Sequence, residues 1–159
     1  MNEDSEFKRT CNKAMNAAVR LLSRRNHTKY EIRQKLKQRG FVAEVITKVI
    51  SECEQFNYIN DEQTAQYYLR ELQTKGYGLR RIRFSMKKKG LNEELISNIL
   101  EDHHTDADEL ENARRSLEKK LRTLNREKDA RKRKEKIYRF LYSKGFSASV
   151  ISELISGNI

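Results

Sequence analysis

Residues 32–50 read IRQKLKQRGFVAEVITKVI, and the same apolar frame returns as IRFSMKKKGLNEELISNIL at 82–100 and IYRFLYSKGFSASVISELI at 137–155. Ile32, Ile82 and Ile137 align without gaps, as do Leu36, Met86 and Leu141. A basic residue and a glycine follow each time (Arg39-Gly40, Lys89-Gly90, Lys144-Gly145), and then Phe41, Leu91 or Phe146. The frame closes on Val45, Ile46, Val49 and Ile50, matched by Leu95, Ile96, Ile99 and Leu100 and by Val150, Ile151, Leu154 and Ile155. Apolar residues three to five apart on either side of the glycine mark one face of each of two helices. Recurrence at a spacing of about 50 residues means similar small units, each readable by itself.

Working outward from the first copy, Ala14, Ala17, Ala18, Leu21 and Leu22 form one face of a preceding helix. Thr28 with Glu31 is a capping box that opens the second helix, because hydroxyl and carboxylate satisfy orphan amides. Gly40 closes that helix in the left-handed conformation, with Lys37 and Arg39 complementing the dipole. Phe41 is placed to seal the corner before the third helix. In the second copy, Asn60 with Gln63 caps a helix carrying Ala65, Tyr68, Leu69 and Leu72; Gly76-Tyr77-Gly78 breaks it, and Asn92 caps the last helix. The third copy opens with Leu110, Ala113, Leu117, Leu121 and Leu124, and Ser147 caps its last helix. From Asn125 to Arg133 the periodicity lapses, which reads as a loop or frayed helix.

The expected fold is therefore all-α: three tandem three-helix repeats in an elongated, curved array. The expected boundaries are a flexible tail over 1–10, repeats over 11–57, 58–104 and 105–159, and a basic loop at about 125–133. Composition agrees. The 159 residues contain no proline, and charged residues, at 36%, equal the apolar ones. Such a chain buries thin seams between helices rather than one large core.

Thirty-four basic against 23 acidic side chains give a net charge of +11, which calls for a polyanionic partner. No apolar run approaches the roughly 20 residues of a membrane span, and the start lacks a signal peptide. Together with two cysteines outside any metal or disulfide pattern, Cys11 and Cys53, this leads to the expectation of a cytoplasmic protein without membrane attachment. Catalytic readings fail for want of parts. Gly76-Tyr77-Gly78 lacks the strand that a phosphate loop needs and serves better as a helix breaker. His103 and His104 diverge by about 100° on a helix and cannot chelate together. No cofactor, metal or enzyme activity is expected.

The cations cluster in three places. Arg114 to Lys136 holds twelve basic and four acidic residues, and Arg114, Arg115, Lys119, Arg122, Arg126, Arg131, Lys132 and Arg133 are its candidate contacts. Lys75, Arg80, Arg81, Arg83, Lys87 and Lys88 surround the second repeat's glycine turn, with Tyr77 among them. Residues 80, 83 and 87 line one helical face opposite Ile82 and Met86, which would be wholly basic. Arg24, Arg25 and Lys35 form the patch of the first repeat. Each run can also be read as a plain solvated surface.

Leu21-Leu22-Ser23-Arg24-Arg25-Asn26-His27-Thr28, followed by Glu31-Ile32-Arg33-Gln34-Lys35-Leu36, resembles the opening signature of the RecX family. Tyr58-Ile59-Asn60-Asp61 with Ala65 is similar to the family's second element, and Lys75-Gly76-Tyr77-Gly78 with Arg81-Ile82 to its third. Family members commonly have a Gly-Pro or Gly-x-x-Arg-Ile step here, and this chain has Leu79 rather than proline after Gly78. The resemblance implies a monomeric modulator that binds the RecA–DNA filament and inhibits ATPase, coprotease and strand exchange without catalysis of its own. It also implies weak phosphate contacts to single- or double-stranded DNA. The competing expectation is a repeat-type DNA-binding protein that needs no RecA. In that case the acidic Glu93, Glu94, Glu101 and Asp102 keep the third helices off the phosphates, so contacts go to the backbone rather than base edges.

Overall fold

The computed structural model describes residues 2–158. Among these it holds nine helices and no strand: α1 (Asn2–Arg24), α2 (Lys29–Gln38), α3 (Ala43–Gln55), α4 (Asp61–Thr74), α5 (Leu79–Lys88), α6 (Glu93–His103), α7 (Asp106–Thr123), α8 (Ala130–Ser143) and α9 (Ala148–Asn158). The helices fall into two compact units. One is the chain up to Ala65 together with Lys88–Asn92, and the other is Gln66–Lys87 with Glu93–Ile159.

In the first unit α1 packs on α2 and α3. Its core takes Cys11, Ala14, Ala18 and Leu21 from α1, Ile32 and Leu36 from α2, and Val45, Ile46, Val49, Ile50 and Cys53 from α3. Ala14 and Ala18 are fully buried, and their small size lets the helices approach closely. Phe41 packs at the edge of this core, at the corner the sequence assigned to it. Cys11 and Cys53 are buried free thiols, and burial pushes the Cys53 thiol up. The end of α2 explains the recurring glycine. Gly40 has φ 88°, which lets its amide donate to Lys37 O (3.0 Å) and the Phe41 amide to Leu36 O (3.2 Å). Gly145 repeats the geometry at φ 100°, with bonds to Tyr142 O (3.0 Å) and Leu141 O (3.2 Å).

The second unit buries Leu69, Leu72, Ile82, Met86, Ile96, Ile99 and Leu100. Beside them, Ala113, Leu117, Leu124, Ile137, Leu141, Phe146, Ile151 and Leu154 form a cluster joining α7, α8 and α9. Burial of one such Leu or Ile contributes about 1.5–3 kcal/mol, whereas an exposed ion pair contributes about 0–1. The apolar frame therefore holds the fold, and most surface charge is available for other purposes.

Two sequence expectations are corrected. A loose tail over 1–10 is not what forms: α1 begins at Asn2, with Glu3 and Asp4 at its positive end, and Phe7 packs on the core beneath the Lys48 ammonium, 5.5 Å from the ring. The lapse at 125–133 is also shorter than expected, since α8 starts at Ala130. Asp129 caps it by accepting from the amides of Arg131 (2.9 Å) and Lys132 (3.2 Å), a local signal that apolar periodicity does not register.

One interlock is built twice, once inside each unit. In the first unit the start of α2 is held by groups from further along the chain. Thr28 Oγ1 donates to Lys89 O (2.6 Å), the Lys29 amide donates to Asp61 (2.8 Å), and the base of the Tyr30 side chain lies over Gly90, where an added Cβ would overlap Tyr30 Cβ and Cγ. In the second unit the start of α5 is held in the same way. The Gly78 amide donates to Lys144 O (2.9 Å), the Leu79 amide to the Glu109 carboxylate (2.9 and 3.1 Å), and the Arg80 amide to Gly145 O (3.2 Å). Each start of a second helix thus receives a lysine-glycine turn and a carboxylate from the repeat that follows it in sequence.

Candidate polyanion-binding surface

The second interlock consumes several residues that the sequence offered to a partner. Arg80 stacks on the Tyr142 ring at 4.1 Å and donates to Tyr142 O. Arg81 lies 4.2 Å above Tyr77, whose ring also meets Lys144 at 4.9 Å, and reaches Ser143 O at 3.4 Å. Arg115 donates to Gln73 O and Asn112 Oδ1, and Lys75 pairs with Glu71 at 2.9 Å. Arg80, Arg81, Arg115 and Tyr77 therefore tie helix ends together.

The basic face expected on α5 is also partly neutralised. Glu93, expected from sequence to repel phosphates, instead accepts from Arg83 (2.8 Å) and Lys87 (2.7 Å). The Lys87 ammonium, with Arg83, holds its carboxyl below the usual range. In the first unit Arg25 is similarly engaged with Glu31 at 2.6 Å. Burial pushes Glu31 up, but the Arg25 guanidinium and the Thr28 amide outweigh it and hold the carboxyl low. Arg24 and Lys88 remain exposed, and Lys35 is half-buried on α2.

The cations of α7, the following turn and α8 are different. Lys119, Arg122, Arg126 and Lys132 are exposed and, among the described residues, form no ion pair, although Lys132 adds to Lys136 in holding the Glu127 carboxyl below its usual range. Arg133 is half-buried, while Arg114 and Arg131 have loose partners in Glu111 (3.3 Å) and Glu135 (3.5 Å). The first turn of α8 holds Arg131, Lys132 and Arg133, where the positive end of the helix dipole disfavours cations by about 0.3–1 kcal/mol each. These residues oppose helix stability, so their presence suits an anion that they and the helix end attract together.

Sequence reasoning missed the polar stripe of α7. Glu109, Asn112 and Ser116 are buried beside the apolar stripe, and each serves the 76–79 turn: Ser116 donates to Gly76 O (2.8 Å), Asn112 to Tyr77 O (3.4 Å), and Glu109 accepts from Leu79. His104, read from sequence as part of a polar turn, is buried. Gln73 Nε2 meets its Nδ1 at 2.9 Å, which leaves the proton on Nε2 to donate to Glu109 at 2.7 Å. The spacing 109, 112, 116 was a visible signal, since it repeats on one helical face. His27 is buried as well, its Nδ1 2.9 Å from Arg25 O, and burial lowers its pKa.

No group of three His, Cys, Asp or Glu among the described residues is placed to hold a metal ion, and no helix is long and apolar enough to cross a membrane.

Comparison with known proteins gives one family throughout. Residues 14–53, 60–100 and 107–155 match the models of the first, second and third three-helix domains of RecX. Regulatory protein RecX of Haemophilus influenzae strain PittEE is 34% identical over 146 residues, which cover 91% of this chain and 94% of that one. Regulatory protein RecX of Legionella pneumophila strain Corby is 35% identical over 144 residues, covering 89% and 92%. That of Caldanaerobacter subterraneus is 32% identical over 143 residues, covering 90% and 69%. The crystal structure of RecX from Lactobacillus salivarius superposes with a TM-score of 0.82 at 25% identity, over 94% of this chain and 97% of that one.

Proposed function

The chain belongs to the RecX family, and on that premise we propose that it is a non-enzymatic regulator that binds the RecA–DNA filament and inhibits its ATPase, coprotease and strand-exchange activities. The relatives carry the name of regulatory proteins, which supports a regulatory role. The observation that directs it toward a polyanion is the set of unpaired cations on α7, the 124–129 turn and the start of α8. A filament offers both DNA phosphate and acidic protein surface along a repeating lattice. A protein of repeated helical units that bridges neighbouring protomers hinders the subunit motions that couple ATP hydrolysis to strand exchange. In this reading the protein acts as a cytoplasmic monomer, touches DNA through phosphates, and supplies no reacting group of its own.

Charge reversal tests the assigned surface. The triple variant Arg122→Glu, Arg126→Glu, Lys132→Glu should bind RecA–DNA filaments at least tenfold more weakly and with a shallower salt dependence. Its thermal midpoint should not fall, because these side chains hold no structural partner and Lys132→Glu relieves the α8 dipole. Unchanged filament binding would remove this surface from the account. The second reading, DNA binding without RecA, predicts that the variant loses affinity for naked DNA and for filaments in equal measure.

A further inference from the structure

A second feature of the basic region is aromatic. Tyr138 and Tyr142 lie one turn apart on α8, their rings 6.1 Å apart at 10°, and both are exposed. The Arg80 guanidinium continues the stack 4.1 Å from Tyr142. One turn along α5 from Arg80, Phe84 is 65% exposed. On the outer face of α8 the same stripe carries Arg131 and Lys134, both exposed. The core does not require these rings, since Ile137, Leu141, Ile82 and Met86 already fill the buried faces of both helices. Tyr77 is excluded, because it is half-buried beside Arg81 and Lys144, whereas Tyr142 stays 47% exposed beside Arg80.

We propose that Tyr138, Tyr142, Arg80 and Phe84 form a base-stacking ledge for single-stranded nucleic acid, with Arg131 and Lys134 meeting its phosphates. Flat rings alternating with a guanidinium match the π-faces of successive unpaired bases, and stacking tolerates any sequence. A duplex keeps its bases stacked inside and offers such rings only phosphate and sugar. An acidic protein surface would be served by the cations alone and gives no use to rings lying nearly parallel. The inference builds on the DNA side of the reading above, but it concerns the protein without recombinase.

The test is fluorescence anisotropy of a labelled oligothymidylate of about 20 nucleotides, longer than one site, beside a duplex of equal length. Phe84→Leu and Tyr138→Leu keep apolar bulk and helix propensity while removing the π-face, and neither residue belongs to the Arg80–Tyr142 clamp. Each should weaken single-strand binding about tenfold, the scale of one stacked base, and leave duplex binding within about twofold. Tyr138→Phe should restore single-strand binding. In the unaltered protein, tyrosine emission should be quenched by the single strand and not by the duplex, a readout free of any folding defect in the variants. Equal losses on single strand and duplex, or no loss on either, overturn the ledge. If the leucine variants keep single-strand affinity but lose filament binding, the rings face protein and the proposal fails. None of these outcomes depends on whether the recombinase is inhibited.

Discussion

The two interlocks share a plan and differ in materials. At the first, a threonine hydroxyl reaches Lys89 O, a half-buried Asp61 takes the Lys29 amide, and the base of a side chain, Tyr30 Cβ and Cγ, lies against Gly90. At the second, three backbone amides are held directly, a buried Glu109 replaces the aspartate, and backbone lies against backbone. A Cβ on Gly145 would stand 2.5 Å from Arg81 N, and one on Gly78 2.5 Å from Gly145 C and Phe146 N. The first junction is built mainly from side chains. The second is built from main chain and a buried charge, and loss of its carboxylate should cost more than loss of Asp61.

The largest effect is expected of Gly145→Ala, which combines a φ of 100° with main-chain overlap and should cost about 4 kcal/mol or abolish folding of the second unit. Gly90→Ala should likewise cost about 4 kcal/mol, since its φ is 81° and the overlapped Tyr30 Cβ is fixed to the main chain, whereas Gly40→Ala, with open space around it, should cost only about 1 kcal/mol for its φ of 88°. Chemical denaturation measures them. Glu109→Ala comes next, at about 3 kcal/mol, because it strands the Leu79 amide and the His104 Nε2–H in a buried place; Asp61→Ala should cost about 1 kcal/mol at the corresponding position. An equal cost for Glu109→Ala and Asp61→Ala would erase the distinction between the junctions.

The smallest effect is a pH dependence next to Thr28. Burial lowers the His27 pKa from its ordinary 6.5, against the opposing pull of the Arg25 carbonyl. The unfolded chain therefore binds the proton more readily than the folded one, and this contribution to stability is present above pH 6.5 and lost as pH falls through the lowered folded value. Melting midpoints should fall between pH 7 and pH 5, and His27→Gln should flatten that part of the slope. The carboxyl of Glu31, held below its ordinary 4.5, acts only at lower pH and leaves this window clear.

The frame of Ile32, Leu36, Gly40 and Val45 was legible in the sequence because helix periodicity and glycine turns are local, and the Thr28–Glu31 box was legible for the same reason. The spacing of Glu109 with Asn112 and Ser116 was visible, but the role of Glu109 was not, because its partners Leu79 and His104 are fixed by tertiary packing and a charged residue beside an apolar stripe looks like ordinary surface. The fate of the cations was legible only by half. Sequence shows that Arg80, Arg83 and Lys87 share a face, but not that Tyr142 and Glu93 are there to receive them. At Lys119, Arg122 and Arg126 the sequence shows the charge, and the structure adds that the side chains are exposed and form no ion pair among the described residues.

The most direct test of regulation is ATP hydrolysis by RecA on single-stranded DNA during titration with this protein. The account predicts inhibition complete well below one regulator per recombinase, because one bound molecule restrains several protomers. It also predicts that the triple charge-reversal variant needs at least tenfold more protein for the same effect. Undiminished hydrolysis at saturating protein would contradict it.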